Sequence, residues 1–132
     1  MVEMVKQITS GVTVSVEFFY QPEYSKPLKR IYRFAYRIMI ANNNSFPIKW
    51  LERKWFIIDS HSTERKEEEG KEIGGIQPII PANETYSYAS SVNLNTGVGK
   101  MYGILTMKNR EDNNIFDVII PEIIMTAPLK MN

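Results

Sequence analysis

A glycine-rich stretch is the part of the sequence whose residue types could bind a phosphate group. It reads Gly70-Lys71-Glu72-Ile73-Gly74-Gly75, and such glycines let backbone N–H groups approach a pyrophosphate closely. A dinucleotide site also needs a preceding strand and a following helix N-terminus. The sequence predicts neither, and Pro78 comes too soon for that helix. The stretch is not a Walker A loop, because Ile76 stands where the lysine belongs. Two interpretations stay open: a phosphate-containing ligand bound by Gly70, Lys71, Gly74 and Gly75, or a turn that needs a positive φ.

A basic segment between residues 26 and 37 has aromatic residues interleaved with its bases. The bases are Lys26, Lys29, Arg30, Arg33 and Arg37, and the aromatics are Tyr32, Phe34 and Tyr36. Such a mixture is typical of nucleic-acid binding when read linearly. On a strand, however, period two sends the aromatics to one face and Arg33 with Arg37 to the other. We therefore predict no nucleic-acid binding. The aromatics should lie in the core, and the two arginines should be available to an acidic protein partner.

The two tryptophans, Trp50 and Trp55, are five residues apart. On one regular strand they would point to opposite faces. We predict that Trp55 is the central ring of the core, whereas Trp50 is either a second cover for the core or partly exposed. An exposed Trp50 beside two lysines would be a suitable anchor for a protein partner.

The sequence has a single histidine, His61, with Asp59 and Glu64 nearby. A nitrogen and oxygen pair from His61 and Asp59 would suit cobalt better than magnesium, but two ligands are far short of a closed site. Ser62 is adjacent to the histidine, and the chain has no G-x-S-x-G elbow. We therefore predict no bound metal, no cofactor and no catalytic residue, and so a protein that is not an enzyme.

The run Glu64–Glu72 holds five acids and three bases, so it carries −2 and the remainder of the chain +3. It is expected to decorate a loop or to form a charged edge that discourages strand pairing between molecules. Homodimerisation by strand pairing stays open.

Composition limits the class of protein. The chain has 132 residues, a net charge of +1, 43% hydrophobic residues and no cysteine. Disulfides, thiolate chemistry, zinc ribbons and iron–sulfur clusters are thereby excluded, and near-neutral charge gives no field to recruit a polyanion. No apolar run reaches the roughly 20 residues that span a bilayer, and no signal-peptide pattern opens the chain. We expect one cytoplasmic domain over residues 1–132 with no membrane contact.

Hydrophobic residues recur with period two. Val12, Val14, Val16 and Phe18 alternate with polar residues, and the 17 isoleucines and 8 valines favour strands. Turn residues separate such segments every ~8–15 positions. The pattern predicts an all-β antiparallel sandwich of about seven to eight strands, with a barrel as the alternative and the core within about residues 11–128.

Taken in order, these segments resemble the ApaG family. The residues that carry the resemblance are Gly11-Val12, Phe34-Ala35-Tyr36, Ile40, Asn42 or Asn43, Leu51, Arg53, Trp55, Ile58-Asp59, Gly75, Gln77-Pro78, Pro81, Glu84, Tyr88, Ser90, Gly99, Met101, Gly103, Phe116, Val118 and Ile120-Pro121. The resemblance implies a fibronectin type III-like (immunoglobulin-like) β-sandwich. Family members often carry a G-x-G-x-x-G run ending where Gly75 stands, and Glu72 here replaces its middle glycine.

The resemblance also bears on function. The family is associated by name with cobalt and magnesium efflux or resistance, and similar domains in larger eukaryotic proteins, including an F-box substrate adaptor, imply an interaction role. Fold alone does not fix function. The sequence therefore predicts a non-enzymatic protein- or small-ligand-binding domain. The alternative is a nucleotide- or pyrophosphate-binding protein that uses the Gly70–Gly75 loop.

Overall fold

The computed structural model describes residues 2–60, 65–71 and 75–128, and for residues 65–69 the backbone alone. Eight strands of six or more residues and one of two residues account for most of this part of the chain. They are β1 (Glu3–Thr9), β2 (Val12–Tyr20), β3 (Tyr32–Asn42), β4 (Ile48–Asp59), β5 (Arg65–Gly70), β6 (Ile79–Ile80), β7 (Thr85–Leu94), β8 (Val98–Asn109) and β9 (Ile115–Thr126). Two short 3₁₀ turns separate β2 from β3. Within these ranges no helix is long and apolar enough to cross a membrane.

The strands form two antiparallel sheets. Sheet I has the order β1-β2-β3-β7, and sheet II has the order β5-β4-β8-β9, with β6 paired to the end of β4. The all-β antiparallel sandwich expected from the alternating residues is confirmed. β1 was not expected, because its residues are mostly polar or exposed and give little alternation.

Aromatic residues join the two sheets at the centre of the sandwich. Tyr36 of β3 meets Trp55 of β4 edge to face at 5.6 Å, and Tyr88 of β7 meets Trp50 of β4 at 6.0 Å. On the other side β9 packs against β1 and β2. β4 therefore lies opposite β7 and β3, while β9 closes the opposite side of the core.

A β-bulge on β4 corrects the expectation for Trp50. Trp50 pairs with Met107 and Glu52 with Thr106, which leaves Leu51 as an extra residue between them. The bulge changes the phase of the alternation, so Trp50 and Trp55 both point into the core and both are 0% exposed. The prediction of opposite faces is wrong, and Trp50 offers no exposed ring to a partner.

A second irregularity occurs opposite Tyr102, where Pro121 and Glu122 face one residue of β8. The sequence predicts that Pro121 breaks the last strand. Instead β9 continues through it, because a proline is tolerated at a bulge.

The charged run supplies β5, which pairs with β4 and ends sheet II. Five of its six residues are charged. Of the two interpretations of this run, the structure supports the charged edge strand.

Asn42 is a fully buried polar residue at the end of β3. Its side-chain amide donates to the carbonyls of Phe46 at 2.9 Å, Ile80 at 3.1 Å and Pro81 at 3.3 Å, and its Oδ1 accepts from the Asn44 N–H. Asn42 thus ties the β3–β4 turn to the segment that passes from sheet II to sheet I.

Candidate functional site

Arg53 and Tyr88 meet between the sheets at the open side of the sandwich, where β7 and β5 are the last strands. Arg53 pairs in register with the buried Leu105, so its side chain enters the interior. Its Nη1 donates to Tyr88 Oη at 3.3 Å, and its guanidinium lies 5.9 Å from the centre of the Tyr88 ring. A half-buried cation therefore lines this opening.

Burial raises the pKa of Tyr88 to about 12, although the hydrogen bond and charge of Arg53 act in the opposite direction. Removal of the phenol from water disfavours its charged form, and this effect is the larger one. Tyr88 is consequently neutral at physiological pH and offers Arg53 a neutral oxygen.

The predicted phosphate loop is only partly described. Gly70 ends β5 directly opposite Arg53, where an added Cβ would make a tight contact of 3.1 Å with Arg53 Nη2. Lys71 is exposed, and Gly74 lies outside the described residues. Gly75 has a φ of +83° and open space around it, as the turn interpretation predicts. The described residues 75–80 are not helical and lead into β6, so this segment presents no helix N-terminus.

Arg33 and Arg37 both lie on the outer face of sheet I, since their neighbours Phe34 and Tyr36 are buried. Arg33 Nε donates to the side chain of Gln21 at 3.2 Å, and its guanidinium lies 5.5 Å from the Tyr24 ring. Arg37 is exposed and makes a long contact of 3.5 Å to Ser87 Oγ. The predicted separation of arginines from aromatics is confirmed, but local contacts already hold Arg33.

Asp59 serves the β7–β8 turn. Its carboxylate accepts hydrogen bonds from the Asn95 N–H and the Thr96 hydroxyl, beside a groove of about 670 Å³ lined also by Arg30 and Tyr32. His61 and Glu64 lie outside the described residues. Within the described part of the chain, no group of three or more His, Asp or Glu side chains could hold a metal ion.

A second groove, of about 500 Å³, lies at the side where β1 meets β9. Aromatic rings from β2 and β3 form one wall, and Tyr20 and Phe34 contact each other there at 5.3 Å. Glu3 from the first strand and Pro128 from beyond the last strand both line this groove.

The outer face of sheet II carries an apolar surface that the sequence analysis did not predict. Phe56 and Tyr102 stack at 5.2 Å on neighbouring strands. Ile119 is 44% exposed and Ile124 is 52% exposed on β9. We call Phe56, Tyr102, Ile104, Ile119 and Ile124 the outer apolar face. In the sequence, the indication of this face is the apolar runs of β4 and β9, because such runs supply apolar residues to both faces of a sheet.

Lysines lie among these apolar residues. Lys100 is between Ile58 and Ile124 in the register, and Lys54 is opposite Ile104. Lys49 lies directly opposite Lys108, an arrangement of like charges that costs free energy in a sheet. Between the Lys49–Lys108 pair and the apolar residues, the register places Glu52 and Asp117 on either side of Thr106. Charges of both signs therefore border the outer apolar face.

The comparisons with known proteins identify the family. A family model described as the ApaG domain matches residues 22–109. The chain belongs to the ApaG family. Among its ApaG relatives, Protein ApaG of Rhizobium meliloti (strain 1021) is 34% identical over 125 residues, 95% of each chain, and that of Agrobacterium fabrum is 32% identical over the same length.

Two solved structures are similar to this chain in both sequence and fold. The crystal structure of an ApaA protein from Bordetella pertussis superposes with a TM-score of 0.83 and 34% identity, covering 90% of this chain and 95% of that one. A further X-ray structure, of a structural genomics target, gives a TM-score of 0.80 at 31% identity, with 92% and 94% covered.

Proposed function

We propose that this ApaG-family chain is a non-catalytic binding domain whose outer apolar face contacts a protein partner. The observation that carries the proposal is this surface itself, because the exposed Ile119 and Ile124, beside a half-buried aromatic pair, are costly to leave in water and typical of interaction sites. Aromatic residues at such surfaces often supply much of the binding free energy.

The chemistry of the partner follows from the charges around the face. Lys49 and Lys108 repel each other where they are paired, and a carboxylate placed between them would relieve that repulsion. A partner surface that places apolar side chains on the outer apolar face and a carboxylate at the Lys49–Lys108 pair therefore fits.

An interaction screen with the purified chain tests the proposal, with Ile119→Lys as the disrupting variant. The matched control is Ile8→Lys, which places the same side chain on the exposed outer face of sheet I. We expect Ile119→Lys to weaken partner binding by about tenfold or more, and Ile8→Lys to leave it unchanged. Equal binding by the two variants, or reproducible turnover of a nucleotide or phosphoester by the purified chain, would contradict the proposal.

We also propose, from the family association, that the partner acts in cobalt or magnesium homeostasis. The same screen is run with and without each cation. A partner whose recovery depends on cobalt or magnesium supports this role, whereas identical partners in all conditions count against it.

A second candidate, nucleotide or pyrophosphate binding by the Gly70–Gly75 loop, has one supporting observation. Gly75 leaves open space above its backbone, and the exposed Lys71 follows β5 on the same connection. Thermal-shift measurements with diadenosine and mononucleotide polyphosphates test it. At ~100 times the dissociation constant, linkage predicts about 2.7 kcal/mol of stabilisation, and Lys71→Ala should reduce it. An unchanged melting temperature with every nucleotide would remove this candidate.

A further inference from the structure

The four edges of the two sheets differ in how they are protected from strand pairing. β5 is charged at five of six positions. β1 carries Glu3 and Lys6, and β9 carries Asp117, Glu122 and a proline at a bulge. Charges, prolines and bulges are the usual means by which proteins block edge-to-edge association.

β7 has none of these protections. Its ten residues, Thr85–Leu94, include no charged residue, proline or glycine, and they pair with β3 in an unbroken register. One side of β7 therefore presents a regular row of main-chain donors and acceptors, the template that an added strand uses.

The side-chain environment of this edge is open as well. Ser90 pairs with the buried Tyr36, so it points to the inner face of sheet I, yet it is exposed. Further along the same face Val92 and Leu94 are buried. The interior is thus uncovered near Ser90 and closed beyond it.

The offset between the sheets explains this opening. β4 lies opposite β7 through the Arg53–Tyr88 and Trp50–Tyr88 contacts, and β5 lies one strand beyond β4. β5 therefore extends past β7, which is the last strand of sheet I. The position opposite β5 and beside β7 is that of a missing fifth strand.

We infer that an extended segment of a partner protein adds to β7 as this fifth strand of sheet I. The inference rests on the proposed role in protein binding but assigns a different surface and a different mode. Main-chain hydrogen bonds to β7 would supply affinity, and alternate side chains would enter the opening between the sheets.

A second copy of the chain whose sheet II lies on the same side of the joined sheet does not fit this position. Suppose that two copies pair through their β7 strands to form one continuous sheet. In each copy β4 lies beneath β7. The second copy's β4 would then occupy the place already taken by β5 of the first copy. A single strand from another protein meets no such obstruction.

The lining of the opening defines the chemistry of the segment. Tyr88 and Ser90 are uncharged, so uncharged inward side chains suit them. In the described part of the chain, Arg53 has Tyr88 Oη as its hydrogen-bond acceptor, and its buried Nε has none. One carboxylate at the inward position beside Arg53 therefore complements the site.

A pair of adjacent proline variants tests the inference. The N–H groups of successive edge residues point alternately to the neighbouring strand and away from it. A proline has no N–H. One of Ala89→Pro and Ser90→Pro therefore removes a hydrogen bond to β3, and the other removes only an N–H group that points away from the sheet. The variant that keeps the wild-type melting temperature is the one used.

The probe is a displayed library of random peptides as long as β7, selected on the full chain. We expect enriched peptides with alternating side chains and an acidic residue, which protect β7 amides from hydrogen exchange and bind the chosen proline variant about tenfold or more weakly. Enriched peptides that bind that variant as well as wild type, or an absence of enrichment, would overturn the inference.

Two further measurements separate this inference from the proposed function. Peptides that bind normally to the proline variant but are lost with Ile119→Lys would support the outer apolar face and overturn the β7 site. A dimer of the free chain that the same proline variant dissociates would overturn the partner strand in favour of a second copy.

Discussion

The side-chain amide of Gln77 donates a hydrogen bond of 3.1 Å to the main-chain carbonyl of Leu51, the extra residue of the bulge on β4. The neighbouring Pro78 carbonyl accepts from the Trp50 N–H at 2.9 Å. Two consecutive residues from a distant part of the chain thus satisfy the backbone groups that the bulge removes from the sheet ladder. The inward orientation of Trp50 depends on this support.

Replacement of that amide should destabilise the sandwich. We expect Gln77→Ala to lower the free energy of unfolding by about 1–2 kcal/mol, because a half-buried carbonyl loses its partner. Urea denaturation measures the change. Gln7→Ala, on the exposed part of β1, is the control and should change stability by less than about 0.5 kcal/mol. Equal effects of the two substitutions would contradict the assigned role.

A larger effect is expected at Asn42. Asn42→Ala leaves three carbonyls and one N–H without the side chain that pairs with them, and we expect a loss of about 2–4 kcal/mol. Its neighbour Asn43 is exposed and contacts only the Thr13 hydroxyl among the side chains described, so Asn43→Ala is the matched control. Thermal unfolding should show a much lower melting temperature for Asn42→Ala than for Asn43→Ala.

Tryptophan fluorescence reports directly on the bulge. Since both indoles are fully buried, iodide should quench the native protein far less than the urea-unfolded chain, and the native emission should be shifted to the blue. A component quenched as efficiently as in the unfolded chain would mean that Trp50 is exposed after all.

Tyr88 gives stability a pH dependence in the alkaline range. Its pKa is about 12 in the folded protein against 10.0 for the free side chain, so the folded state holds a proton that the unfolded state releases. Stability is therefore unaffected below pH 10 and falls as pH rises from about 10 to about 12, by on the order of 2–3 kcal/mol.

The measurement for Tyr88 is a tyrosinate absorbance titration of wild type and Tyr88→Phe. The substitution should remove a component whose pKa is about 12 and leave the rest of the curve unchanged. If Tyr88→Phe instead removed a component at the low-pH end of the tyrosinate titration, the conclusion that burial raises the pKa of Tyr88 would be contradicted.

The sequence predicted most reliably where alternation is uninterrupted. β2 and β3 pair through nine consecutive residues, and each carries its apolar residues on one face, so both the strands and the outward direction of Arg33 and Arg37 could be inferred. Trp50 could not be placed, because the bulge is stabilised by Gln77 and Pro78, which are distant in sequence. Local spacing does not contain that information.

The candidate binding surfaces were harder to predict for a similar reason. The opening at Ser90 arises from the lateral offset of one sheet over the other, and it becomes visible only when Arg53 is placed against Tyr88. β9 has apolar residues on both of its faces, and the outer apolar face can be predicted only when it is known which of these two faces is buried. Neither property is encoded in a single strand.

The groove shared by Glu3 and Pro128 has a consequence for the connectivity of the fold. The first and last strands contact each other, and Thr9 Oγ1 accepts a hydrogen bond from the Ile119 N–H at 3.3 Å. A short flexible linker could therefore join the two ends without crossing the core, and the exposed β8–β9 turn at residues 110–114 could be opened to give new ends. The same packing of strands is thus compatible with more than one order of the strands along the chain. A circularly permuted protein would keep both proposed binding surfaces on the same fold.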